Sequence, residues 1–189
     1  MSYNIKLQLP FAQPFKSVDW FNSLDLAGDN DYGHDLPTSY ISDEAIEFFA
    51  SRDLIVSGCE YFMFSPNYVQ QIHVDGSKIC DKVKFNWSFG SEHVFNFYEI
   101  NQNWRQRMDG LDGQSSHYFT SEEVNLVDSR PIYAPSMCKV GRPHNIINGG
   151  NTLKLFNITV WKKGTVRTHE HYGGLDMSEA LIIFNDYVL

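Results

Sequence analysis

The stretch QQIHVDGS, residues 70 to 77, sets His73 and Asp75 one residue apart, after an apolar position and before Gly76. On an extended strand, residues i and i+2 point to the same face, so this imidazole and this carboxylate can aim at one point. Such a donor pair suits a first-row divalent metal. The same spacing equally describes a strand that carries a histidine and an aspartate before a turn. A third ligand would separate the two readings. His144, in GRPHNIINGG, begins a short apolar run that leads into Gly149 and Gly150. Further on, Lys154 stands in TLKLFNITVW on the face of Thr152 and Phe156, opposite Leu153, Leu155 and Asn157. A cation in an otherwise apolar strand needs a partner, because an unpaired buried charge is costly. A bound carboxylate would serve, and so would solvent along the edge of a sheet.

The elements that must hold these residues are mostly strands. LIVSGCEYFMF at 54 to 64 is rich in β-formers and ends at Ser65-Pro66. NYVQQIHV is a second candidate. DKVKFNWSF at 81 to 89 alternates, with Val83, Phe85, Trp87 and Phe89 on one face and Lys82, Lys84, Asn86 and Ser88 on the other. EHVFNFYEI, PHNII, TLKLFNITVWKK and ALIIFNDYVL complete a β-rich C-terminal two thirds. Residues 101 to 130 are polar and read as loop, as does the Asp-, Gly- and Pro-rich segment 22 to 40. One helix is predicted in SDEAIEFFASRDL. There Ser42 can cap, Asp43 and Glu44 suit the positive end of the helix dipole, and Ala45, Phe48 and Phe49 form an apolar face. Many short strands with Gly, Asn and Pro turns predict a mainly β sandwich or barrel, jelly rolls included, with a short helical N-terminal region packed against it.

Composition narrows the function. The chain has 189 residues, enough for one domain with a sizeable core. Hydrophobic residues make up 42% and aromatics 15%, which argues against disorder. A formal net charge of -8 disfavours nucleic acid and anionic membrane surfaces as partners. Cys59, Cys80 and Cys138 are scattered and form no CxxC pair, as expected of idle thiols in a reducing compartment. The N-terminus has no long apolar region of the signal-peptide kind. The most apolar window is too short to span a bilayer and contains Glu60. The expectation is a soluble, cytoplasmic protein of one domain, 1–189, with a core from about residue 54 and helical and loop support before it.

The pattern of HxD, a distant His and a later basic residue resembles the iron(II)- and 2-oxoglutarate-dependent dioxygenases. It is most similar to their aspartyl/asparaginyl β-hydroxylase and prolyl hydroxylase-like branch. In that branch the distal segment reads roughly H-x-V-x-N-x-G, then a basic residue, then an apolar strand ending in V-W. Here the corresponding residues are His144, Ile146, Asn148, Gly150, Lys154 and NITVW ending at Trp161. The resemblance covers about residues 60 to 163. It implies a double-stranded β-helix, a jelly-roll variant of cupin-like form. It implies iron(II) held by His73, Asp75 and His144, and 2-oxoglutarate as co-substrate with its distal carboxylate on Lys154. Family members usually carry Arg there, which grips a carboxylate in two prongs, whereas Lys offers a point charge. Lys84 and Asn86 are further co-substrate-lining candidates by the same resemblance, and equally suit the solvent face of an outer strand. The implied activity is hydroxylation of an amino-acid side chain, free or in a peptide, with O2 consumed and succinate and CO2 released.

Two other readings stay open. One is a non-catalytic jelly-roll structural or binding module, since a fold does not determine a function. The other is a cupin-type isomerase or lyase using His169 and His171 in RTHEHYGG. The carboxylate expected shortly after such a pair is missing, the next residues being Tyr172, Gly173, Gly174 and Leu175. Arg105 and Arg107 lie in a polar stretch and suit either an acidic substrate or solvent.

Overall fold

The structure is a computed structural model that describes residues 2–24, 33–76, 79–90, 92–102, 117–131, 135–165 and 174–189. In chain order its elements are β1 (Asn4–Lys6), α1 (Val18–Ser23), β2 (Gly33–Leu36), α2 (Asp43–Ala50), β3 (Leu54–Phe64), β4 (His73–Val74), β5 (Val83–Gly90), β6 (His93–Ile100), β7 (His117–Tyr118), β8 (Val124–Arg130), β9 (Ser136–Lys139), β10 (His144–Asn148), β11 (Leu153–Lys162) and α3 (Met177–Phe184). The strands form two antiparallel sheets, ordered β1-β9-β5-β11-β3-β2 and β7-β4-β10-β6-β8. The chain passes between them from β3 to β6 and again from β8 to β11: β3, β5, β9 and β11 lie in the larger sheet, and β4, β6, β8 and β10 in the smaller, with β7 added at the edge beside β4. This interleaving, with β9-β5-β11-β3 facing β4-β10-β6-β8, is the strand order of a double-stranded β-helix, the jelly roll that the sequence predicts.

Alternation along the strands makes two cores. Tyr61, Met63, Phe85, Trp87, Phe156 and Ile158 point outward from the larger sheet and pack with Phe21 of α1, Phe48 and Phe49 of α2, and Phe184 of α3. The other face looks at the smaller sheet. There Phe64, Leu153 and Leu155 meet Phe95, Phe97 and Ile146. The helices therefore cover one side of the larger sheet and leave the space between the sheets to the site.

Helix α2 forms where the sequence places it. Ser42 accepts a hydrogen bond from the Ala45 amide, and Ala45, Phe48 and Phe49 are buried. The C-terminal ALIIF segment, by contrast, is helical rather than extended. Asp176 and Glu179 form a reciprocal capping box, and Met177, Ala180 and Phe184 recur at helical spacing on the buried side. A run of five apolar residues fits either period, and the cap decides it. Residues 101 to 130 also hold two strands: β7, paired with β4, and β8, paired with β6 and hidden in the sequence by Asn125, Asp128 and Ser129. Within the 22 to 40 segment β2 pairs with β3. Among the described residues no helix is long and apolar enough to cross a membrane.

Candidate metal centre

His73 and His144 are directly opposite each other in the β4–β10 ladder. The backbone of β4 is set by its surroundings. The Asn145 side chain donates to the Gln70 carbonyl at 2.9 Å, the Ile146 amide donates to Gln70 Oε1 at 3.2 Å, and the Asp75 amide donates to the Val140 carbonyl at 2.8 Å. Gly76 then takes φ +98°, a left-handed conformation that lets the chain leave the sheet just past Asp75.

Three donor atoms converge as a result. The Nε2 of His73 is 3.4 Å from Asp75 Oδ1, that of His144 is 3.8 Å from the same oxygen, and the three donors all lie within 4.8 Å of one another. Among the described residues this is the group of histidines, cysteines and carboxylates with metal-binding spacing. The other ring nitrogens are committed. His73 Nδ1 is 2.8 Å from the Gln71 carbonyl and His144 Nδ1 is 2.9 Å from the Arg142 carbonyl. A carbonyl only accepts, so in each neutral ring the proton sits on Nδ1 and the Nε2 lone pair faces inward. That fixes both rings in the tautomer a metal ligand needs.

Electrostatics point the same way. Burial, with the neighbouring His73 ring, pushes the His144 imidazole down to about 4, so it is neutral near pH 7. Burial alone would raise the Asp75 carboxyl. The Lys84 ammonium, 2.7 Å from Oδ2, and the His73 and His144 rings together outweigh it and hold Asp75 well below the usual carboxylate range. The neutral His144 imidazole, the His73 ring and an ionised carboxylate thus aim three acceptors at one point. Without a cation between them these acceptors repel one another. An ion about 2.1 Å from each would need donors roughly 3 Å apart, so the side chains would draw inward from the separations of 3.4 Å, 3.8 Å and up to 4.8 Å. The donor set fits a first-row divalent metal, iron(II) included.

The residues assigned to co-substrate are placed differently. Lys154 does not join this cluster. It lies on the outer face of the larger sheet, where its Nζ donates to the carbonyls of Phe21 at 3.2 Å, Asn22 at 3.1 Å and Leu24 at 2.9 Å. It closes the C-terminal end of α1, which has no basic residue in its own last turn. Nor is it on a sheet edge, since β11 runs between β5 and β3. The alternation that turns Leu153 and Leu155 inward turns Lys154 outward, so its ammonium faces α1 and not the three donor atoms. Lys84 and Asn86 do face between the sheets, opposite to Val83, Phe85 and Trp87. Lys84 contacts the ligand set itself, and its Nζ is also 2.5 Å from Glu60 Oε2. Asn86 is aligned across the sheet with Asn157 and Ser136, and Asn157 with Glu60, giving a polar row on the inner wall. Glu60 is the residue that sequence reading left without a role. Its signal was there: one carboxylate in LIVSGCEYFMF, in phase with the inward-facing Phe62 and Phe64. His169, His171, Arg105 and Arg107 lie outside the described residues.

No protein-family model matches the chain, and no curated protein matches it. Solved structures with some likeness include the vicilin of Solanum melongena, at 11% identity and TM-score 0.37 over 73% of this chain and 30% of that one. A variant of Bacillus subtilis oxalate decarboxylase gives 8% identity and TM-score 0.37 over 85% of this chain and 32% of that one. An oxidoreductase of the 2OG-Fe(II) oxygenase family from Burkholderia pseudomallei gives 11% identity and TM-score 0.36 over 72% of this chain and 56% of that one. The chain spans less than two thirds of each of these proteins. The jelly-roll assignment rests on the strand order.

Proposed function

We propose that the protein is a mononuclear iron(II) oxygenase that hydroxylates an amino-acid side chain, free or in a peptide, with 2-oxoglutarate as co-substrate. The observation that carries the metal part is the convergence of His73 Nε2, His144 Nε2 and Asp75 Oδ1, with both Nδ1 atoms tied to backbone carbonyls. The location supports it as well: HxD ends one strand of the smaller sheet and the distal His begins its neighbour, at one end of the barrel. Iron would supply redox chemistry with O2. The chain's own residues would hold it on one side through three ligands and leave the opposite side for exogenous ligands. Asp75 and the two imidazoles supply ligation rather than general base chemistry.

The co-substrate rests on the HxD…H pattern alone, because Lys154 is engaged by α1. That placement favours a second reading, in which the same metal centre works without 2-oxoglutarate. Anaerobic titration with Fe(II) and then 2-oxoglutarate separates the two. A weak visible charge-transfer band that is lost in His73→Ala supports the first. Metal binding without the band leaves the second standing. A protein that takes up no divalent metal, and behaves like its His73→Ala variant, is the non-catalytic jelly-roll module.

A further inference from the structure

Behind the three metal-facing atoms lies a buried chain of charges. Asp75 Oδ1 faces the two imidazoles, and Oδ2 accepts from Lys84 Nζ at 2.7 Å. The same ammonium contacts Glu60 Oε2 at 2.5 Å. The Lys84 side chain is 7% exposed, whereas Asp75 and Glu60 keep 23% and 26%. An ammonium so deeply placed is held by its two carboxylates and by little water.

Each contact has a consequence for the ion. A carboxylate can bind a metal through one oxygen or through both. With Oδ2 occupied by Lys84, Asp75 has Oδ1 to give, which favours one-pronged ligation and leaves a coordination position open. An ammonium beside a ligand also competes with the metal for that ligand's charge. Glu60 divides the ammonium's attraction, so that Asp75 keeps negative charge for the ion. Glu60 and Asp75 approach Lys84 from different sheets, Glu60 on β3 and Asp75 just after β4, while Lys84 sits on β5. The relay therefore ties the metal-bearing strand to the opposite wall of the barrel.

We infer that Glu60 and Lys84 are positioning residues of the metal centre: Lys84 fixes the orientation of Asp75, and Glu60 acts on the metal through Lys84. The inference rests on the metal reading above. It adds a dependence that ligand count does not predict, since neither residue touches the ion.

The test measures Co(II) affinity and the Co(II) visible spectrum in the absence of O2, so no turnover is needed. It compares the full chain with Glu60→Gln, Lys84→Met and the double variant. Glu60→Gln is expected to weaken Co(II) binding about tenfold, the lower end of what outer partners of metal ligands contribute. Glu60→Asp, which keeps the charge, restores most of it. Lys84→Met is expected to change the spectrum toward a weaker, higher-coordinate form as Asp75 turns two-pronged, and Lys84→Arg to retain the parent spectrum. In the Lys84→Met background the added Glu60→Gln change loses most of its effect on affinity. If Lys84→Met does not fold, the Glu60 variants and Lys84→Arg still decide the matter. Glu60→Gln with unaltered Co(II) affinity overturns the inference while leaving the metal centre intact. So does an equal loss with and without Lys84, which would mean simple action at a distance. A parent protein that binds no Co(II) overturns both this inference and the metal reading.

Discussion

His73 and His144 face each other across adjacent strands, with ring centroids 4.5 Å apart and planes inclined by 48°. Adjacent imidazoles with both Nε2 atoms turned to one carboxylate oxygen have no hydrogen bond to share between them when neutral. The pair is therefore a cation site in waiting, and its behaviour with and without metal differs in measurable ways.

Loss of either ring removes a ligand. His73→Ala and His144→Ala should each weaken Fe(II) or Co(II) binding by more than about a hundredfold, beyond the range of outer-partner changes. Isothermal titration under anaerobic conditions checks this. Retention of parent affinity in both variants would place the metal elsewhere.

The metal-free protein should lose stability in acid for an identifiable reason. His144 is held down to about 4 from an ordinary 6.5. Between those values the unfolded chain binds a proton that the folded chain refuses, so stability rises with pH across that window and is fully present above it. Asp75, held well below its ordinary value, extends the loss on the acid side as pH falls through the carboxylate range. Thermal melts from pH 4 to 7 should show a decline toward acid that is shallower in His144→Gln. An identical slope in that variant would rule this cause out.

Lys154 offers a direct contrast between motif and structure. If it closes α1, Lys154→Met should cost about 1–2 kcal/mol of stability through three orphaned carbonyls and leave Fe(II) affinity unchanged. If it held the co-substrate, the same change would spare the melting temperature and abolish the 2-oxoglutarate-dependent band. Chemical denaturation alongside the anaerobic titration distinguishes them.

Asn157 is nearly fully buried on the inner wall, and its Oδ1 has no hydrogen-bond partner among the described residues. An unsatisfied buried carbonyl costs roughly 1–3 kcal/mol. Asn157→Leu should therefore hold or raise the melting temperature of the ligand-free protein. A clear drop in that temperature would mean that Asn157 is satisfied and structural.

Helix α3 depends on its cap. Asp176→Ala removes the bond to the Glu179 amide, 2.9 Å in length, and should cost about 1 kcal/mol. Circular dichroism and urea denaturation read this out, and an unchanged midpoint would contradict the capping account.

Much of this protein is legible in its sequence where the signal is local. Two-residue alternation in VKFNWSF assigns Phe85 and Trp87 to one side and Lys84 and Asn86 to the other. Ser42 and the acids after it start α2. The spacing of His73 and Asp75 puts both on one strand face, and the polar His144 at the head of an apolar run marks a second ligand. These depend on neighbours within a few residues, so the chain carries them alone. Which way a face turns is not local. Lys154 and Lys84 have similar surroundings in sequence, each a lysine alternating with apolar residues. Sheet pairing turns one toward α1 and the other toward Asp75. Glu60 gains its partner the same way, from a strand that follows it only after β4. ALIIF has no preferred period until Asp176 and Glu179 cap it and the larger sheet offers a surface for Met177, Ala180 and Phe184. Local periodicity sets which residues share a face. Only the closing of two sheets over one interior decides what that face meets, because the energy of burying a charge depends on the partner waiting there.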